Sequence, residues 1–260
     1  MCTVSNQKIS AVSSQCILQT PDTHQVGFPQ NVRAHFVTFA EASGLNLAGH
    51  TGAAAEQVQE ARAHLQASFP KVHPIAWLTQ QHTINIVNLD ADKRLVDETA
   101  FDASTTTCKK EVCAVLTADC LPLLISHKDG AQVAAVHAGW RGLADGIVEK
   151  ALAAFSDLNV AVVIGPSIKQ AMFEVGNDVL NAFGGQQGRY ASFFVDNGIK
   201  DGQQKWLADL PGIARQKLEE QGVNQESIYV SDICTYQAEG WPSYRRNKTP
   251  LRMASLIWFE

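Results

Sequence analysis

No stretch of this sequence is both apolar and long enough to cross a bilayer. The longest strongly apolar runs, such as Leu121–Ile125 and Val160–Ile164, are strand-sized, far short of the roughly 20 residues that a spanning helix needs. The start of the chain also lacks the basic segment and unbroken apolar stretch of a secretory signal, because polar residues interrupt Ile9 to Leu18. Basic runs interleaved with aromatics are missing, and the net charge is −5 with a pI near 5.9. A phosphate backbone therefore finds no electrostatic footprint here, which argues against nucleic acid as a partner. The six cysteines form no CxxC pair and are too sparse for a disulfide scaffold. That usage suits a reducing compartment and predicts a cytoplasmic protein.

What is present is ordinary globular material, 45% hydrophobic and 18% charged over 260 residues, enough for one large α/β domain with an extensive core. Residues 1–31 are polar, carry Pro21 and Pro29 and show no sustained period, so they are expected to form a surface arm before a domain spanning 32–260. Ala34–Thr38 reads as a strand. Over Ala53–Phe69, the apolar residues Ala55, Val58, Ala61, Leu65 and Phe69 recur at helical spacing, with Thr51 as the expected N-cap and Pro70 as the stop. Ile75–Leu78, Ile84–Leu89, Val112–Leu116, Leu121–Ile125, Val133–Val136 and Val160–Ile164 read as strands. A helix is expected after Gly142, where Leu143, Ile147, Ala151 and Phe155 form a stripe. Val175–Phe183 and Trp206–Gln221 read as helices, the second kinked at Pro211, and Ser227–Val230 and Ser255–Phe259 as closing strands.

Three of these strand ends carry a residue able to ligate a metal: Gln81-His82-Thr83, Asp119-Cys120-Leu121 and Val136-His137-Ala138. Two imidazoles and a thiolate suit zinc and leave a fourth tetrahedral position open, the arrangement of a catalytic site. The positions are too widely spaced for a local zinc-finger pattern, and a core thiol with two hydrogen-bonded histidines accounts for the same residues. Gly139-Trp140-Arg141-Gly142 leads from a strand into a helix, where backbone N–H groups and Arg141 could meet an anion; a packed, glycine-rich connection is the alternative. Ser243-Tyr244-Arg245-Arg246 is a second cationic cluster, of which at most one arginine is expected to face a site.

Taken together, the ordered segments Leu116-Thr-Ala-Asp-Cys-Leu-Pro122, Ala134-Ala-Val-His-Ala-Gly-Trp-Arg-Gly142, Ile164-Gly-Pro166, Phe173-Glu-Val-Gly176, Cys234-Thr-Tyr236 and Ser243-Tyr-Arg-Arg246 resemble the YfiH or laccase-domain family. The resemblance runs from about residue 32 to the C-terminus. It implies an α/β (α+β) fold, a single layered domain of mixed β-sheets flanked by helices, similar to cytotoxic necrotizing factor. It further implies zinc held by His82, Cys120 and His137, with copper as the less expected metal. This chain departs from the family pattern in three places: Gln81 stands where Val is usual, Thr38-Phe39-Ala40-Glu41-Ala42 replaces a Thr-Arg-x-Gly-Gly stretch, and Leu251 replaces a glycine. The lost arginine predicts a slower or differently selective enzyme.

The activities implied by the resemblance are phosphorolysis of adenosine, inosine, guanosine and methylthioadenosine, and hydrolytic deamination of adenosine. Purine nucleosides and phosphate are then the partners. In that reading Cys120, His137, Asp119 and Arg141 are the expected catalytic residues, Asp119 as a proton carrier, with Arg141, Arg246, Gly139 and Gly142 expected to hold phosphate. Asp119 reads equally as a structural carboxylate, because neighbours in an extended chain alternate faces. A second class is a cysteine amidase with Cys120 as nucleophile and His137 as base, acting on a misbuilt peptidoglycan precursor. His82 separates the two, since the dyad does not require it. Copper-dependent phenol oxidation is disfavoured because the eight histidines are scattered rather than paired in motifs. A non-catalytic binding module would show no turnover even with metal.

Overall fold

The computed structural model describes residues 16–21, 26–39, 45–97 and 99–260. Its strands form three sheets. The first is antiparallel, in the order β1 (Cys16–Gln19), β2 (Val32–Phe39), β13 (Met253–Phe259) and β5 (Cys113–Thr117). The second has the order β12 (Ile228–Val230), β8 (Val160–Ile164), β6 (Leu121–His127), β7 (Val133–Ala138), β4 (Ala103–Thr106) and β3 (Ile86–Asn88). It is mixed, with parallel pairs only at its two edges. A small third sheet joins β10 (Phe194–Lys200), β11 (Gln203–Ala208) and β9 (Glu174–Val175).

Alternation along the strands sorts side chains into layers. Leu121, Leu123 and Ile125 of β6 face the core beneath α3 (Trp140–Asp145), α4 (Ile147–Leu152) and α6 (Leu210–Glu220), whereas Leu124 faces the four-stranded sheet. Ala135 and Val163 meet Phe36, Val115 and Ile257 in the core between the two large sheets. The outer face of the four-stranded sheet, with Val37, Leu116 and Leu256, is covered by Ala61 and Leu65 of α1 (Ala55–Ser68). The result is a helix, sheet, sheet, helix stack that buries β6, β7 and β8 on both faces, so these strands read as continuous apolar runs.

Several expectations change. The described part of the expected arm is not laid on the surface: Cys16–Gln19 pairs antiparallel with β2, and Val26 and Phe28 are buried between the large sheets. Residues 1–15 and 22–25 lie outside the described residues. Thr51 does not cap α1, which starts at Ala55 without a side-chain cap; its hydroxyl instead bonds Ala48 O in the preceding turn. Ile75–Leu78 is buried but unpaired apart from a bridge at Thr79, because its apolar side chains pack beside the sheets rather than extend them. The helix expected after Gly142 begins earlier, at Trp140, and is broken at Gly146, whose φ of 98° ends α3 and starts α4. Trp206 belongs to β11, and Pro211 marks the start of α6 rather than a kink, since Asp209 caps it. Short helices α2 (Leu89–Asp92), α5 (Asn177–Ala182) and α7 (Tyr244–Asn247) complete the described elements. No helix among the described residues is long and apolar enough to cross a membrane.

Candidate metal centre

One end of the six-stranded sheet gathers the chemistry-bearing residues. Cys120 immediately precedes β6, His137 lies on the last turn of β7 opposite Pro122, and Asp102 immediately precedes β4, which pairs with β7. His82 sits on the connection leading to β3 with a φ of 60°, an uncommon left-handed conformation for a non-glycine residue. The structure brings His82, Cys120 and His137 together, with one ligand atom from each lying within 4.8 Å of the others. Cys120 Sγ is 3.8 Å from His82 Nε2, and the two imidazole centroids are 4.8 Å apart. This is the only such cluster among the described residues.

Asp102, which the sequence did not single out, organises the cluster. It is fully buried and receives hydrogen bonds from the backbone N–H groups of Gln81, His82 and Thr83, from Thr83 Oγ1, and from His137 Nδ1 at 2.7 Å. The bond to Nδ1 fixes the ring and leaves Nε2 facing the cluster, the usual support for a ligating histidine. Burial pushes the Asp102 carboxyl up, but the hydrogen bond and charge of His137 and the bonds from Thr83 outweigh it and hold it below the ordinary range. Burial likewise pushes the Cys120 thiol up, and the His137 and His82 imidazoles reverse this, bringing it down to about 6. The His137 imidazole is raised, because Asp102 and Cys120 overcome the penalty of burial. A thiolate is therefore the natural form of Cys120 near neutrality.

Gly139 is the floor of this cluster. A Cβ there would lie 2.4 Å from His82 Cδ2 and 3.3 Å from Cys120 Sγ, so only glycine lets the chain pass this close. Gly142 lies within α3, and a Cβ there would meet Thr83 O at 3.1 Å. At both glycines, expected to hold phosphate, the close approach is to His82, Cys120 and the Thr83 carbonyl. Arg141, expected to hold phosphate, is exposed, with its guanidinium 4.2 Å from the Trp140 ring centroid, while Trp140 itself lines the cavity. Arg246, likewise expected to hold phosphate, binds backbone carbonyls. Its Nη1 donates to Thr235 O and Tyr236 O and its Nη2 to Trp241 O, so the guanidinium ties down the loop after Cys234. Asp119, expected as a proton carrier, has both carboxylate oxygens engaged by the chain. Its φ is 81°, Oδ1 accepts from Thr235 Oγ1 at 2.7 Å, and Oδ2 accepts from the Arg245 backbone N at 2.6 Å. Of the replaced family stretch, Thr38 and Phe39 end β2 as buried residues, and 40–42 lie outside the described residues.

The cluster opens into a cavity of about 670 Å³, within the range of small-molecule sites. Its walls combine apolar side chains, among them Leu116, Ile168 and Phe173, with the polar Gln80, Asp178, Arg245 and Arg252. Arg245 carried no signal distinguishing it from Arg246, because which of the two adjacent cations faces inward depends on α7, and Arg252 stands alone between Leu251 and Met253 with no motif of its own.

Comparison with known proteins follows this geometry. A family model described as multi-copper polyphenol oxidoreductase laccase matches residues 30–260. The purine nucleoside phosphorylase YfiH of Escherichia coli (strain K12) is 37% identical, covering 95% of this chain and 99% of its own. The purine nucleoside phosphorylase of Haemophilus influenzae is 35% identical, covering 89% of this chain and 96% of its own. The crystal structure of Neisseria meningitidis protein NMB0706 is similar with a TM-score of 0.79 at 35% identity, covering 94% of this chain and 99% of that one. Bacillus licheniformis YfiH shares the fold with the same TM-score of 0.79 at 23% identity. Matched along nearly its whole described length, the chain belongs to the multi-copper polyphenol oxidoreductase laccase family, that of the YfiH proteins.

Proposed function

We propose that this protein is a zinc-dependent purine nucleoside phosphorylase that also deaminates adenosine. The observation that carries the reading is the convergence of His82, Cys120 and His137 at the base of a nucleoside-sized cavity, in a chain whose relatives are named purine nucleoside phosphorylases. The residues fit one ion: the donors are nitrogen, sulfur and nitrogen, the thiol ionises readily, and Gly139 leaves the space clear. A multicopper centre fits less well, because no second ligand cluster exists among the described residues. The proposed setting is the cytoplasm, in keeping with free thiols at Cys108, Cys113, Cys120 and Cys234.

When bound, zinc supplies a Lewis-acidic positive charge beside the purine. The chain's own residues do the rest. Asp102 holds His137 and the His82 backbone in register, and the apolar wall around Phe173 excludes water from the base. Phosphorolysis of inosine, adenosine, guanosine or methylthioadenosine breaks the C1′–N9 bond and forms a C1′–O bond to phosphate. The purine leaves with the bonding pair and takes up a proton. In deamination, water replaces the C6 amino group and ammonia leaves. Protein prepared without chelator should contain one equivalent of zinc and convert inosine only with phosphate present. Cys120→Ala should lose both the ion and the turnover. Zinc-loaded wild-type protein that leaves every purine nucleoside intact would sink the reading.

The series Cys120, His137, Asp102, with the thiol at about 6, favours a second reading, a cysteine amidase acting on a peptidoglycan precursor. His82→Ala decides between them, since the amidase keeps its nucleophile and base while the metal site loses a ligand.

A further inference from the structure

Several cations of this protein meet a carboxylate, as Lys217 meets Glu149 at 2.7 Å and Arg189 meets Glu220 at 2.8 Å. The two arginines lining the metal-ligand cavity do not. Among the described residues, neither Arg245 nor Arg252 has a carboxylate oxygen within ion-pair distance of its guanidinium. Arg245 Nη1 donates to Glu174 O at 2.7 Å, and its guanidinium lies 5.1 Å from the Phe173 ring centroid. Arg252 Nη1 donates to Leu251 O at 2.8 Å and Thr249 O at 3.1 Å. In both, the hydrogen bonds found among the described residues use Nη1 alone, leaving the rest of the donor fork for another acceptor.

A guanidinium stays charged in proteins, and the remaining N–H groups of these two line a cavity without a direct carboxylate partner, so an anion entering it gains charge-assisted hydrogen bonds. A nucleoside brings no anionic group. We propose that Arg245 and Arg252 form the subsite for the attacking nucleophile, binding inorganic phosphate as a dianion in the metal-ligand cavity. The proposal rests on the phosphorylase reading and places the phosphate beside the arginines that line the cavity, Arg141 and Arg246 not being among its lining residues. Two features tie the subsite to the metal ligands. Asp119, next to Cys120, accepts the Arg245 backbone N–H and so sets the start of α7. Arg252 immediately precedes β13, whose Met253 is paired with Thr117 at the head of the Cys120 loop.

The test compares Arg245→Gln and Arg252→Gln with Arg245→Lys, Arg252→Lys and the distant Arg215→Gln, each checked for an unchanged thermal midpoint without phosphate. Removing either fork should raise the KM for phosphate about tenfold to a hundredfold, as expected for a charge-assisted pair, with the KM for inosine near that of wild type. The lysine variants should fall between, and Arg215→Gln should match wild type. An unchanged phosphate KM, or an inosine KM that rises in step, overturns the subsite. A second readout does not depend on turnover: inorganic phosphate should raise the thermal midpoint of wild type but not of the glutamine variants. If wild type shows that rise yet no phosphorolysis, the phosphorylase reading fails while the anion subsite stands. Absence of the rise overturns the subsite, as does stabilisation by adenosine monophosphate alone.

Discussion

Asp102 is the residue on which the most depends for its size. Its two oxygens serve three consecutive backbone N–H groups, one hydroxyl and one imidazole, so a neutral amide in its place must turn an N–H₂ toward at least one donor. Asp102→Asn is expected to weaken zinc binding by about 10- to 100-fold, as loss of an outer partner of a ligating histidine does. Competition with a chromophoric chelator measures this directly, and affinity equal to wild type would refute the role. Nothing near Asp102 in the sequence betrayed it: Phe101-Asp102-Ala103 has no motif, and its importance arises from the pairing of β4 with β7. The three candidate ligand positions were legible because each lies beside an apolar run of the sequence. The arginines were not, since adjacent guanidinium groups at 245 and 246 are equivalent until α7 turns one inward and lets the other bind carbonyls.

At the scale of elements, the strands buried on both faces were readable to within a residue or two. Val160–Ile164 coincides with β8, because an uninterrupted β-branched run has few other places to go. Polar or short strands escaped: β4 is Ala-Ser-Thr-Thr, held by its neighbours rather than by its own pattern, and β10 is largely exposed. Pro211 shows how one residue type supports two readings. A proline within a helical period suggests a kink, but here it occupies the second position of α6, where its missing N–H costs nothing. The cap that makes this start is Asp209, accepting from Gly212 N at 3.0 Å. Asp209→Ala should therefore destabilise the fold by about 1 kcal/mol. Urea titration would read this as a lower midpoint at unchanged slope, and an unaltered midpoint would contradict it.

For the whole molecule, the acid limb of stability has an identifiable source in the aromatic cluster on the outer sheet face. His35 stacks 5.2 Å from Phe69 and 5.2 Å from Trp258, with Nδ1 at 3.0 Å from Thr20 Oγ1. Burial, assisted by the charge of Arg33, lowers its pKa from 6.5 to about 4. The folded state thus disfavours the protonated ring, and the unfolded chain takes up that proton first as pH falls. Stability should be undiminished above pH 6.5 and decline by about 3 kcal/mol on the way to pH 4. His35→Phe should flatten that slope in chemical denaturation series; an equally steep slope in the variant would assign it elsewhere. The metal-ligand loop behaves differently, for Asp102 holds its backbone and His137 through bonds that need no ion. A zinc finger acquires its fold from its metal and loses it to a chelator, whereas the Asp102 bonds predict that a chelator would strip an ion from this site without unfolding the chain. The expected consequence is one of timing: newly made chains would stand ready as complete apoprotein, and output would follow the supply of the ion at the pace of diffusion and exchange instead of the pace of synthesis.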